Sequence, residues 1–227
     1  MTYEIFGGNL PAVTIRLRQG ESIYTESGGM SWMTSEISME TNMKGGLMKG
    51  LGRMLAGESL FMATYTATAP NQEITIASSF PGEILCLEVA PGKEYICQKS
   101  AFLCAQPQVD RSNEVTRSVA SGLFGGEGFI MQRLRGNGLA FLEIDGSLRK
   151  VTLAPGERLK VDTGNVAAFE ATMGYSVETV KGFKNVLFGG EGLFLTVLQG
   201  PGTAYLQTMT MPGFVSRIVP YIPKSSN

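Results

Sequence analysis

Two landmarks recur three times along this chain, and they advance in step. Gly-Glu followed by an apolar run appears as Gly57-Glu58-Ser-Leu-Phe-Met, Gly126-Glu127-Gly-Phe-Ile-Met and Gly190-Glu191-Gly-Leu-Phe-Leu. A tight turn signal recurs as Gln19-Gly20-Glu21, Pro91-Gly92-Lys93 and Pro155-Gly156-Glu157. Gly92 to Gly156 spans 64 residues, as does Gly126 to Gly190, whereas Gly20 to Gly92 spans 72. A fixed internal period constrains architecture before any local signal does. The extra residues of the first copy fall between strand-like runs, where surface loops accept insertions. The copies are placed at about 8–81, 82–145 and 146–209, with a tail over 210–227, all in a single domain.

Period-two patterning predicts what the copies are made of. Val13-Thr-Ile-Arg-Leu-Arg, Glu73-Ile-Thr-Ile-Ala-Ser and Arg158-Leu-Lys-Val-Asp-Thr alternate apolar and polar residues, as strands with one face on a core do. Ile84-Leu-Cys-Leu-Glu-Val and Ala140-Phe-Leu-Glu-Ile are more continuously apolar and predict strands covered on both faces. The 29 glycines cluster between the runs as Gly-Gly, Pro-Gly, Asp-Gly and Asn-Gly, the chemistry of hairpin turns. Four or five short strands per copy follow, without long helices, so the expectation is an all-β protein.

The stretches Gly29-Met-Ser-Trp-Met, Phe80-Pro-Gly-Glu-Ile, Cys97-Gln-Lys-Ser-Ala-Phe-Leu, Leu123-Phe-Gly-Gly-Glu-Gly-Phe, Val161-Asp-Thr-Gly-Asn, Leu187-Phe-Gly-Gly-Glu-Gly-Leu-Phe-Leu and Gly200-Pro-Gly-Thr-Ala-Tyr-Leu-Gln-Thr run in order along almost the whole chain. Together they resemble the family named for altered inheritance of mitochondria, in its twenty-fourth member. The resemblance implies a fold like that of the tryptophan-RNA-binding attenuation protein, with repeats packed around a pseudo-threefold axis. It also suggests a role at mitochondrial membranes and bacterial relatives of unassigned function. Many relatives are expected to carry His after Val161-Asp-Thr-Gly, where this chain has Asn165.

The chain has no histidine, which removes Ser-His-Asp and Cys-His nucleophile pairs, His-ligated zinc and a cupin-type metal cluster. Carboxylate and lysine chemistry survive that exclusion, but no catalytic constellation is recognisable, and no enzyme activity or cofactor is expected. Glu58, Glu127 and Glu191 hold the same place in the three copies. Around an axis they would converge on a hard cation; alternatively, Gly-Glu simply opens a strand, with the carboxylate paired locally. The glycine-rich stretches lack a phosphate-loop spacing and its basic residue, so nucleotide binding is not expected.

The segment from Met43 to Leu55 is the most distinctive. Met43, Leu47, Met48, Leu51, Met54 and Leu55 recur at roughly helical spacing among Lys44, Lys49 and Arg53. Adaptable apolar side chains beside cations suit a partner groove or an anionic membrane surface. Leu123, Phe124, Leu187 and Phe188 hold the corresponding places in the later copies. The competing reading packs all of these inside the fold or in a subunit interface.

With 19 basic and 20 acidic residues, the chain has no electrostatic footprint for nucleic acid, and RNA or small-molecule binding stands as the alternative function. No apolar run reaches the roughly 18–20 residues of a membrane span. Cys86, Cys97 and Cys104 lie in apolar runs and read as reduced, buried thiols of a cytoplasmic protein. Trp32 is expected in the core, and the apolar tail around Phe214 on a neighbouring surface, with a disordered end. The overall expectation is a non-catalytic binding or scaffolding protein, peripheral to a membrane or membrane assembly. Unpaired strand edges predict a homo-oligomer, taken as a trimer.

Overall fold

The computed structural model describes residues 1–26, 28–42, 62–114, 130–179 and 194–222, and the architecture there is all-β. In chain order the strands are β1 (Thr2–Phe6), β2 (Ala12–Leu17), β3 (Ser22–Glu26), β4 (Met30–Met33), β5 (Ile37–Asn42), β6 (Met62–Ala67) and β7 (Gln72–Ala77). They continue as β8 (Gly82–Val89), β9 (Tyr95–Gln98), β10 (Phe102–Ala105), β11 (Val109–Glu114), β12 (Met131–Gly136) and β13 (Gly138–Asp145). The last are β14 (Leu148–Leu153), β15 (Arg158–Asp162), β16 (Val166–Glu170), β17 (Gly174–Thr179), β18 (Phe194–Gln199) and β19 (Gly202–Gln207), followed by one helix, α1 (Met211–Ile218).

These strands form four antiparallel sheets whose neighbours are mostly distant in sequence. One six-stranded sheet has the order β5-β6-β3-β10-β13-β8 and the other β11-β12-β9-β16-β19-β14. Adding six to every strand number of the first sheet yields the second. A further step of six gives β17-β18-β15, the three-stranded sheet, and a step back gives β4-β7-β2, which β1 extends to four strands.

The sequence intervals separate the same backbone devices. Gly20, Gly92 and Gly156 have φ of +83°, +80° and +83°, left-handed conformations that favour glycine. Each sits in a turn closed by a hydrogen bond: Glu21 N to Arg18 O, Lys93 N to Ala90 O, and Glu157 N to Ala154 O. A one-residue bulge interrupts the pairing of β4 with β7 at Ser31, of β10 with β13 at Leu103, and of β16 with β19 at Ala167.

Three core clusters lie between the sheets. The first joins Val13, Ile15, Leu17, Ile74 and Ile76 to Ile23, Tyr65, Cys104 and Phe141. The second joins Cys97, Val109 and Leu134 to Phe102, Ala105, Leu142 and Ala168. The third joins Ile96, Val161 and Leu198 to Val166, Phe169 and Ala204. The alternation in Val13-Thr-Ile-Arg-Leu is realised in β2, where Val13, Ile15 and Leu17 point inward. Ala140, Phe141, Leu142 and Ile144 of β13 are buried on both faces, as their continuous apolar run predicts.

One expectation needs correction. Trp32 lies on a strand, but it is 56% exposed rather than core, because among the described residues β4 pairs only with β7. The tail forms the helix α1, capped by Thr210, whose side chain accepts a hydrogen bond from Gly213 N. None of its residues is buried, and it docks through an edge-on contact of Phe214 with Phe80, centroids 4.8 Å apart. The final Lys-Ser-Ser-Asn lies outside the described residues.

The three cysteines are free thiols, two buried and Cys86 half-buried. Cys104 pairs with Thr25 where β10 meets β3, and Cys97 pairs with Ala168 where β9 meets β16. Burial pushes the Cys97 thiol up to about 12 and Cys104 well above its ordinary value. Thiolate is scarce at both, so thiol titration of the native protein near pH 8 is expected to show slow labelling of Cys86 alone. All three should react in denaturant; rapid native labelling of Cys97 or Cys104 would contradict this packing.

Candidate interaction surface

The residues singled out from the sequence lie outside the described residues. These are Met43, Lys44, Leu47, Met48, Lys49, Leu51, Arg53, Met54, Leu55, Glu58, Leu123, Phe124, Glu127, Leu187, Phe188 and Glu191. What the structure describes is the frame from which their segments depart. β5 pairs with β6 up to Asn42 opposite Met62, β11 with β12 up to Glu114 opposite Met131, and β17 with β18 up to Thr179 opposite Phe194. Each segment therefore leaves and re-enters at the end of one antiparallel pair. The three pairs correspond under the six-strand step.

Charged side chains clamp these pairs. Arg111 on β11 donates to Glu26 at 2.8 Å, contacts the Met62 sulfur and lies 4.4 Å over the Phe102 ring. Its side chain is nearly buried, so the charge is held by pairing and stacking rather than by water. Arg133 on β12 grips both oxygens of Glu114 at 2.9 and 3.0 Å and donates to Glu94 at 3.0 Å. Lys160 on β15 reaches Glu178 on β17 at 2.7 Å. Arg16 pairs with Glu73 and Glu4, and Arg135 with Asp110. These cations are spent on carboxylates, so they do not form the basic track that a single-stranded nucleic acid requires.

The sequence reading missed Arg111 and Arg133, because Arg111 and Glu26 are 85 residues apart in the chain. Asn165, at the place where relatives are expected to carry His, has a structural partner. Its side-chain amide donates to Gln207 O at 2.7 Å, beside Gly164 O, which accepts from both Gln98 and Gln207.

A second surface is apolar. Strand partners share a face, so Phe6, Ala12 and Ala77 lie on one side of the four-stranded sheet with Thr75 and Trp32. The Phe6 and Trp32 rings approach to 6.4 Å across this face. The opposite face carries Val13, Ile15, Ile74 and Ile76 into the first core, and there the Tyr3 ring meets Phe141 edge-on at 5.0 Å. Phe6 and Trp32, on the opposite edge strands β1 and β4, thus form an exposed aromatic patch across this face, a feature that marks contact surfaces.

An acidic corner completes the inventory. Glu143 accepts from Ser78 Oγ and from the N–H and Oγ of Ser79. Asp145, two residues along the same strand, is half-buried, and burial with the Glu143 charge raises its carboxyl to about 6. Among the described residues no group of three or more metal-ligating side chains could hold a metal ion. The raised Asp145 value means folding favours its protonated form. That preference is fully expressed below about pH 4 and is lost as pH rises through about 6, where ionisation opposes folding. Asp145→Asn is therefore expected to stabilise the fold at pH 7–8 by on the order of 1 kcal/mol after solvent screening, read as a higher melting temperature. The difference should vanish at pH 4, and an unchanged or lowered melting temperature at pH 8 would refute the assignment.

The sequence profile described as mitochondrial biogenesis AIM24 matches residues 3–209. An uncharacterized protein of Streptococcus pyogenes serotype M6, M6_Spy0233, is 32% identical over 230 residues, covering 96% of this chain and 89% of that protein. The crystal structure of SPYM3_0169 from Streptococcus pyogenes superposes with a TM-score of 0.81 at 26% identity, covering 97% of this chain and 99% of that one. No helix among the described residues is long and apolar enough to cross a membrane.

Proposed function

We propose that this chain, which belongs to the mitochondrial biogenesis AIM24 family, is a binding and scaffolding protein without catalysis of its own. In this reading it makes peripheral contact with an anionic membrane or a membrane-bound assembly. Three tandem β units, of the kind found in the tryptophan-RNA-binding attenuation protein, form the scaffold. A pseudo-threefold ring closed within one chain would require β15 to pair with β4, and no such pairing joins them among the described residues. The proposal is therefore three units in tandem with that joint open.

The observation that carries the reading is the departure of residues 43–61, 115–129 and 180–193 from the ends of three corresponding strand pairs. The scaffold thereby offers three presentation points. The first of these segments is the cationic Met/Leu stretch with Lys44, Lys49 and Arg53. Such side chains are attracted to anionic lipid while their apolar neighbours enter the interface. The pairing of Arg16, Arg111, Arg133 and Arg135 with carboxylates weighs against the alternative of RNA binding.

Co-sedimentation with vesicles containing phosphatidylglycerol tests this reading. Binding at low salt that weakens as salt rises is expected. Reversing three charges in Lys44→Glu/Lys49→Glu/Arg53→Glu removes at least about 1 kcal/mol per residue, an affinity loss of about 100-fold or more. No binding of the unaltered protein at low salt would sink the membrane reading.

A further inference from the structure

The two six-stranded sheets are each assembled at a joint between successive stretches of chain. β10 pairs with β3, setting Cys104 opposite Thr25 and Ala105 opposite Tyr24. β16 pairs with β9, setting Ala168 opposite Cys97 and Phe169 opposite Ile96. The same step of six strands makes β4 the counterpart of β10 and β16, and β15 the counterpart of β3 and β9. Among the described residues, β4 and β15 are the two members of this set that lack the joint.

Burial follows the joint. All four residues of β10 are buried, and so are Val166, Ala167, Ala168 and Phe169 of β16. In β4, Ser31 and Trp32 are exposed, and Met30 and Met33 are half-buried. The bulges align Met30 with Phe102 and Val166, and Trp32 with Cys104 and Ala168. Cys104 enters the core cluster of the preceding unit, beside Ile23 and Tyr65, and Ala168 likewise joins Cys97 and Leu134. No described strand takes the corresponding place beside Trp32.

Side-chain size points the same way. On the adjacent strand, Cys104 faces Phe141 and Ala168 faces Tyr205, a small residue against a large ring at each closed joint. At β4 the sizes are exchanged, with Trp32 facing Thr75. One large ring thus belongs to each joint, so Trp32 has the volume of a joint core residue although water covers it here.

We infer that β4 is completed by β15 of a second copy of this chain, with Trp32 opposite Val161 and Met33 opposite Lys160. The register is the one at both internal joints, advanced by 72 and 64 residues. The third core cluster of the second copy, with Val161, Leu159 and Leu198, then covers Trp32 and its neighbour Phe6. The contact is head-to-tail: each chain offers β4 to one neighbour and β15 to the other, and repetition closes a ring. This inference rests on the three-unit reading above and does not depend on membrane contact.

Cross-linking identifies the occupant. In a Cys86→Ser background, Trp32→Cys protein is mixed with Val161→Cys protein under mild oxidation. A disulfide-linked dimer containing one chain of each kind is expected, above the level either variant gives alone. A Trp32→Cys/Val161→Cys chain that cross-links internally at monomer mass, with no dimer in the mixture, would overturn the second copy while preserving the three-unit reading. No cross-link in either experiment would overturn the joint altogether. Trp32 is the sole tryptophan, so the unaltered protein supplies an independent readout. Its emission should shift to shorter wavelength as concentration rises, in parallel with the mass measured by light scattering; a solvent-exposed emission at all concentrations would contradict the proposal.

Discussion

Backbone amides that leave water must find partners, and in this chain two strand pairings, β10 with β3 and β16 with β9, find them between stretches of chain that are otherwise paired within themselves. Cys104 with Thr25 and Ala168 with Cys97 are the points where a later strand enters the sheet of an earlier stretch. Without those pairings each six-stranded sheet would divide into two three-stranded halves with open edges, and the buried faces of β10 and β16 would be exposed. The three core clusters follow from this sharing, because each packs against at least one of the two six-stranded sheets that the shared strands create. Polar groups at the joints are matched accordingly: Thr25 donates to Leu103 O at 2.6 Å, and Gln98 donates to the carbonyls of Thr163 and Gly164.

An architecture held together by shared sheets still leaves strand edges open at its ends. The last helix addresses one corner through Phe214 and Phe80. β1 covers the outer side of β2. β4 and β15 have neither device, and β4 carries the sole tryptophan of the chain in the open. An aromatic patch on an unpaired edge costs solubility unless it is used, which is why these strands, rather than the other sheet edges, point to a partner of the same chain.

Much of the scaffold was legible in the sequence. The 64- and 72-residue intervals place the turn glycines, and the alternating runs around Val13 and Ile74 place strands with the correct inward face. Trp32 was misread because Gly29-Met-Ser-Trp-Met has the character of a buried strand, and its counterparts are buried. Whether such a strand is covered depends on a neighbour that local pattern does not contain. The helix α1 has a local signature in Pro212, which suits the first turn, and in Thr210, which caps it, but its eight residues are too few for apolar spacing to announce it. Arg111 escaped notice because its role depends on Glu26, Met62 and Phe102, which tertiary structure brings together. The candidate contact segment from Met43 to Leu55 is legible only as composition: cations among Met and Leu state a chemistry without a placement.

On the inference drawn above, β4 and β15 are the unfilled halves of the strand sharing that holds this molecule together. Amide hydrogen exchange measured over a concentration series tests it most directly. The account predicts that the amides of Met30–Met33 and Arg158–Asp162 become protected together at high concentration, approaching those of β10 and β9. They should lose that protection together on dilution, while the edge strands β5 and β11 exchange at constant rates. Rapid exchange of β4 and β15 at every concentration, or protection of one without the other, would contradict it.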